Sequence, residues 1–229
     1  MSLSKTIIDL SKKSEVDLGN TKAQVVVVMD YSGSMRDMYE NGTVQRVIDK
    51  LLPIGLTFDD NGEVEVFRFE NSFNQFKSLT LKNYENYVAN VLYNGKGMGG
   101  TYYAPVLKEI KKQYLDEQPK KFGLFKSNKN TEAPVFVVFI TDGDNSDKYD
   151  TDKIIRELSS TNCFVQFVGV GNARMQYLEK LDDLDGRECD NTGFVKFENI
   201  ENVSDSVLYS NVLEQFADWL KVKGLNTAR

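Results

Sequence analysis

In Val25-Val26-Val27-Val28-Met29-Asp30-Tyr31-Ser32-Gly33-Ser34-Met35, an unbroken apolar run ends in one acid and two hydroxyls at alternate positions. An apolar run of this length reads as a strand buried on both faces, the habit of a central parallel strand. Hard oxygen ligands where such a strand stops suit Mg²⁺, which keeps several waters and takes one or two carboxylates. The segment therefore points to a cation and to the edge of the sheet that would hold it.

Outward from this strand, apolar runs alternate with helix-period segments. The expected fold is α/β: a Rossmann-like, doubly wound, mostly parallel sheet with helices on both faces. Thr43 to about Leu56 puts Val44, Val47, Ile48, Leu51 and Leu52 on one helical face, with Pro53 expected to kink or end it. Glu63 to Phe69 reads as a strand that turns at Glu70-Asn71 into Ser72–Phe76, giving one antiparallel edge strand. Tyr84 to Leu92 reads as a helix, Gly95 to Gly100 as a glycine-rich loop, and Tyr103 to Tyr114 as a helix with Pro105 in its first turn. Pro134 to Ile140 is a second doubly buried strand, ending in Thr141-Asp142-Gly143. A helix from about Thr151, a strand at Cys163–Val168, a short helix at Met175–Leu181, a strand at Gly193–Phe197 and a terminal helix with Tyr209, Val212, Leu213, Phe216, Trp219 and Leu220 on one face complete the chain. We expect one domain over 21–223, an extended lead-in over 1–20 and a C-terminal tail over 224–229. The lysine-rich stretch 117–133 reads as a mobile surface excursion.

Composition narrows the chemistry. Hydrophobic residues make up 41% and charged residues 27% of 229, so a sizeable core is expected. A net charge of −6 argues against nucleic acid, whose backbone is bound by neutralising phosphates. No apolar stretch reaches the roughly 20 residues of a membrane span, and Met1-Ser2-Leu3-Ser4-Lys5 opens no signal-like core, so a cytoplasmic protein is expected. Histidine is absent, which removes Ser-His-Asp and Cys-His mechanisms and histidine zinc sites. Cys163 and Cys189 lack metal-type spacing, and Cys163 reads as a buried free thiol.

Three segments bear on chemistry: Asp30-x-Ser32-x-Ser34, Gly99-Gly100-Thr101 and Thr141-Asp142-Gly143. In open α/β sheets ligands bind beyond the carboxyl ends of strands, where the strand order reverses. The three segments converge there if the first and fourth strands are neighbours. Each has an ordinary reading as well, since Asp, Ser and Thr are common turn and N-cap residues. Asp144 and Asp147 read as solvated loop.

Asp30-x-Ser32-x-Ser34, a distant Thr101 and Asp142 in Thr-Asp-Gly resemble the metal-ion-dependent adhesion site of von Willebrand factor A (vWA) domains, over about Gln24 to Leu220. The Leu-Ser-Lys lead-in pattern and the expected compartment make the chain most similar to the bacterial tellurite-resistance-associated branch. The resemblance implies a non-catalytic, Mg²⁺-dependent protein-binding module, with Mn²⁺ or Ca²⁺ as alternatives. Ser32 and Ser34 would bind the ion directly, Asp30 directly or through water, Thr101 when a ligand is bound, and Asp142 mostly through water. The partner protein would supply an Asp or Glu carboxylate, and neither nucleic acid nor membrane insertion is implied.

Other readings fit less well. Gly95-x-Gly97-x-x-Gly100 matches the dinucleotide pattern but does not follow the opening strand, and a Walker loop needs a lysine before Thr101. A metal-dependent hydrolase or phosphotransferase would use Asp30 as nucleophile or ligand. Aspartyl phosphotransferases usually place a second acid two residues on, where this chain has Ser32. A soft-metal scaffold would need thiolates, which these segments lack.

Overall fold

A computed structural model describes residues 3–59, 61–116 and 133–225. Residues 117–132 lie outside them, and with them most of the lysine-rich stretch. The sheet strands are β1 (Gln24–Asp30), β2 (Val64–Phe69), β3 (Phe73–Leu79), β4 (Val135–Thr141), β5 (Cys163–Val170) and β6 (Thr192–Phe197). They form one six-stranded sheet in the order β3-β2-β1-β4-β5-β6. Every pairing is parallel except β2 with β3, the expected antiparallel edge. The order reverses between β1 and β4, so a crevice opens beyond their carboxyl ends.

The helices are α1 (Leu3–Ser14), α2 (Arg36–Glu40), α3 (Thr43–Phe58), α4 (Ala104–Tyr114), α5 (Lys148–Ser159), α6 (Gln176–Asp182) and α7 (Asp205–Val222). Alternation along β1 sorts them into two layers. Val25, Val27 and Met29 pack with α1, α2, α3 and α7, whereas Val26 and Val28 pack with α4, α5 and α6. Gly55 lets α3 approach the sheet closely, because a Cβ there would stand 2.5 Å from Val64 Cγ2.

Three expectations are corrected. The lead-in is helical rather than extended: Leu3, Ile7 and Leu10 recur at helical spacing, with Ile7 and Leu10 buried. That face packs into the α7 layer, where Ser14 Oγ donates to Asp218 Oδ1 at 2.8 Å and Lys221 pairs with Glu15 at 2.9 Å. Of the two outcomes expected at Pro53, a kink or an end, the end is ruled out, because α3 continues to Phe58 with Ile54, Gly55 and Phe58 buried beyond the proline. The Tyr84–Leu92 helix shrinks to one wide turn, Val88–Leu92. Gln45 of α3 satisfies its entrance, accepting from Val88 N and donating to Tyr84 O at 2.9 Å each, so no further helical turn is needed there.

Among the described residues no helix is long and apolar enough to cross a membrane. Cys163 and Cys189 are both free, and burial pushes the Cys163 thiol up to about 12.

Candidate metal centre

Asp30, the last residue of β1, has no solvent exposure. Its Oδ1 accepts from the Ser32 amide at 2.7 Å, and its Oδ2 accepts from Thr141 Oγ1 at 2.6 Å. The Ser32 and Ser34 hydroxyls lie 3.0 Å apart, and Ser34 Oγ donates to Asp142 Oδ1 at 2.8 Å. Four of the five predicted residues are therefore joined through one short run of hydrogen bonds at the ends of β1 and β4.

Thr101 arrives on a separate loop held at both flanks. Gly33 N donates to Gly99 O at 3.0 Å, and Ser146 N donates to Thr101 O at 2.8 Å. The first bond ties the glycine-rich loop to the Ser32 turn and the second ties it to the loop after β4. The Thr101 side chain is half-buried there.

Burial pushes the Asp30 carboxyl up to about 7, against the opposing hydrogen bonds from Thr141 and Ser32. Burial likewise raises the Asp142 carboxyl, with the Ser34 hydrogen bond opposing it. No basic side chain forms an ion pair with either acid among the described residues. Nor do those residues contain a cluster of three or more Cys, Asp or Glu placed to hold a metal. The donor set is instead two acids and three hydroxyls, all hard oxygens, which fits Mg²⁺ or Mn²⁺ and suits a thiophilic ion poorly. A cation would satisfy the buried, uncompensated Asp30.

Sequence reading missed three supporting residues. Thr141 lies within the quoted Thr-Asp-Gly, yet its role appears only where β4 lies beside β1. The Tyr103 hydroxyl is 3.1 Å from Thr141 Oγ1 and donates to the Gly143 carbonyl, so it braces the acceptor side of the same turn. Asp147 is not the solvated loop residue expected. Its carboxylate accepts from Tyr103 N at 3.0 Å and Ala104 N at 2.8 Å, capping α4 directly after the Thr101 loop. Asp144 is also engaged, accepting from Tyr177 N at 3.1 Å and pairing with Lys148 at 3.1 Å.

The raised Asp30 carboxyl has a defined consequence for the metal-free chain. Between pH 4 and about 7 the folded state holds a proton that the unfolded state, with an ordinary value of 3.8, has released. This contribution to stability is complete below the unfolded value and is lost as pH rises through about 7. We expect urea unfolding in EDTA to weaken from pH 5 to pH 8 by on the order of 2–4 kcal/mol more in the wild type than in Asp30→Asn. Equal pH slopes in the two proteins would refute it.

Residues 22–226 match the model of the vWA-TerF-like family, described as the vWA found in the TerF C terminus, and the chain belongs to this family. YcbR of Bacillus subtilis (strain 168), an uncharacterized protein, is 37% identical over 223 residues, spanning 93% of this chain and 86% of that protein. Solved structures with a similar fold include manganese-loaded TRAP of Plasmodium vivax, with TM-score 0.58 and 16% identity over 86% of this chain and 74% of that one. The VWA domain of SpRpn10 gives TM-score 0.54 and 11% identity, covering 85% of this chain and 95% of that one. The ArnB paralog VWA2 of Sulfolobus acidocaldarius gives TM-score 0.52 and 14% identity over 86% of this chain, which spans 46% of that protein. At such identities these likenesses concern the fold alone.

Proposed function

We propose that this chain is a non-catalytic, Mg²⁺-dependent protein-binding module. Ser32, Ser34 and Asp30 would hold the ion, Thr101 would join them when a partner is bound, and Asp142 would act mostly through water. The bound ion supplies a Lewis-acidic position for one more anionic oxygen, taken in this reading by an Asp or Glu of the partner protein. Asp30 carries the proposal: it is a fully buried carboxylate with two hydrogen-bond donors and, among the described residues, no paired cation.

A vWA domain is typically an interaction module, which supports a binding role. TRAP, a structure of similar fold, is manganese-loaded, which supports a divalent ion in this reading. Mg²⁺ is our assignment, with Mn²⁺ or Ca²⁺ as alternatives that hard oxygens also accept. In our reading the chain acts in the cytoplasm, within a bacterial tellurite or stress-resistance system; the family match itself supports only a vWA domain of the TerF-like type. The phosphotransferase reading is disfavoured because Ser32 stands two residues after Asp30, where aspartyl phosphotransferases usually place a second acid.

The test is a capture experiment from native lysate. Partners should be retained in Mg²⁺ and released by EDTA, and Asp30→Asn should fail to retain them. A partner set that is identical under all three conditions would sink the proposal.

A further inference from the structure

Arg68 lies on β2 opposite Met29 and is 8% exposed. Its guanidinium carbon sits 3.7 Å from the centre of the Tyr31 ring and 4.8 Å from that of Phe76. The Nη1 group donates to the Leu92 carbonyl, while Nε has no hydrogen-bond partner. No carboxylate pairs with it among the described residues. A buried cation without a counter-charge is an expensive way to fill space.

The contacts of Arg68 lie where two parts of the metal centre meet. Tyr31 is the residue between Asp30 and Ser32, and its side chain is fully buried. The Tyr31 hydroxyl reaches Asn94 Oδ1 at 2.8 Å and Lys96 O at 2.9 Å, on the segment that leads to Thr101. Leu92, held by Arg68, begins that segment. Gly95 and Gly97 have φ of 69° and 68°, conformations open to glycine and little else. A loop with two such residues does not set its own path, so its position depends on what anchors it.

We infer that Arg68 is a positioning residue for the metal centre, clamping the Asp30–Ser32 turn and the Thr101-bearing loop in one fixed relation. The inference rests on the metal-binding reading above. Two rings lie against a planar guanidinium that donates in its own plane, a combination an ammonium does not reproduce. Lysine should therefore not replace it. Gly99 O, Gly100 N, Thr101 O and Tyr102 N are bonded at the far end of the loop, whereas at its start Arg68 and Tyr31 act beside Tyr93, whose hydroxyl donates to Glu40 Oε1 at 2.7 Å.

The test measures free Mn²⁺ by electron paramagnetic resonance in titrations of the full chain, with acetate present to stand in for the partner carboxylate that brings Thr101 to the ion. Wild type, Arg68→Met, Arg68→Lys, Thr101→Ala, Ser32→Ala and each double variant with an Arg68 substitution are compared at a temperature where far-ultraviolet circular dichroism shows all of them folded. Both Arg68 variants should bind Mn²⁺ about tenfold more weakly, the usual loss when a residue that orients a metal ligand is removed. Thr101→Ala should then cost little more in either background, whereas Ser32→Ala should retain its full effect. Amide exchange in the metal-free protein should speed up at Gly33 and Gly100, reporting a loosened loop without any metal. Wild-type affinity in Arg68→Met or in Arg68→Lys, or losses that simply add to that of Thr101→Ala, would overturn the inference. A wild-type chain that binds no Mn²⁺ would overturn the metal reading itself, and this inference with it.

Discussion

Asp30→Asn is expected to weaken Mg²⁺ or Mn²⁺ binding by at least about a hundredfold, the upper end of what loss of a merely supporting residue costs. Asparagine is the informative replacement because it keeps the shape of a fully buried side chain. Its carbonyl can still accept from Ser32 N, and Thr141 Oγ1 can accept from the new amide while donating to Gly143 O, 3.2 Å away. Alanine would instead take the acceptor from the buried Ser32 amide, open a cavity and mix a folding defect into the result. The same substitution removes a carboxylate whose ionisation burial opposes, so the metal-free variant should be no less stable than wild type at pH 8. Thermal scans then give opposite signatures. At a hundred times its dissociation constant Mn²⁺ stabilises the wild type by about 2.7 kcal/mol, a rise of roughly 5–10 °C in a chain of this size. The variant should barely respond. A variant that matches the wild-type shift would remove Asp30 from the metal centre.

Phe216→Ala is expected to be the most damaging single truncation of the core, costing about 3–5 kcal/mol. Phe216 of α7 is fully buried and stacks on Phe136 of β4 at 4.2 Å and 12°. Trp219 at 5.9 Å, Phe164 at 5.8 Å and Phe58 at 5.9 Å surround the same ring. Alanine would open a cavity walled by rigid aromatics from four elements, which cannot close around it. The midpoint of thermal unfolding should fall by about 6–20 °C. Tyr149, 83% exposed on α5, serves as the control, and its change to alanine should stay within about 0.5 kcal/mol. A Phe216 loss no larger than the Tyr149 loss would mean that α7 is not part of the core.

The strands were legible because their burial is written into composition. Val25–Met29 and Val135–Ile140 are apolar at every position, and they lie side by side at the centre of the sheet. The hairpin was legible because Glu70 and Asn71 interrupt two alternating runs. Less legible were features whose cause lies elsewhere in the chain. Leu3, Ile7 and Leu10 have helical spacing, but a short helix of this kind is stable only when α7 covers its apolar face. Pro53 carries a local penalty of about 3 kcal/mol that burial of Ile54 and Phe58 outweighs. Val88–Leu92 needed Gln45, some forty residues away, to satisfy its first turn.

The candidate centre divides along the same line. By itself the sequence determined the donors: Asp30, Ser32 and Ser34 at alternate positions after one buried strand, Asp142 after another, and Thr101 after a glycine pair. Those choices are local, since they depend on where a strand ends and on which side chains carry hard oxygens. Tertiary structure decided who supports them. Thr141 became the hydrogen-bond donor to Asp30 because parallel pairing sets β4 beside β1. Asp147, which from its own neighbourhood reads as solvated loop, is given instead to the amides of Tyr103 and Ala104 at the start of α4. Arg68 and Tyr31 sit 37 residues apart in sequence and meet face to face because β2 lies next to β1. Ligand chemistry is a property of the residue, whereas orientation is a property of its neighbours, and only the folded chain chooses those.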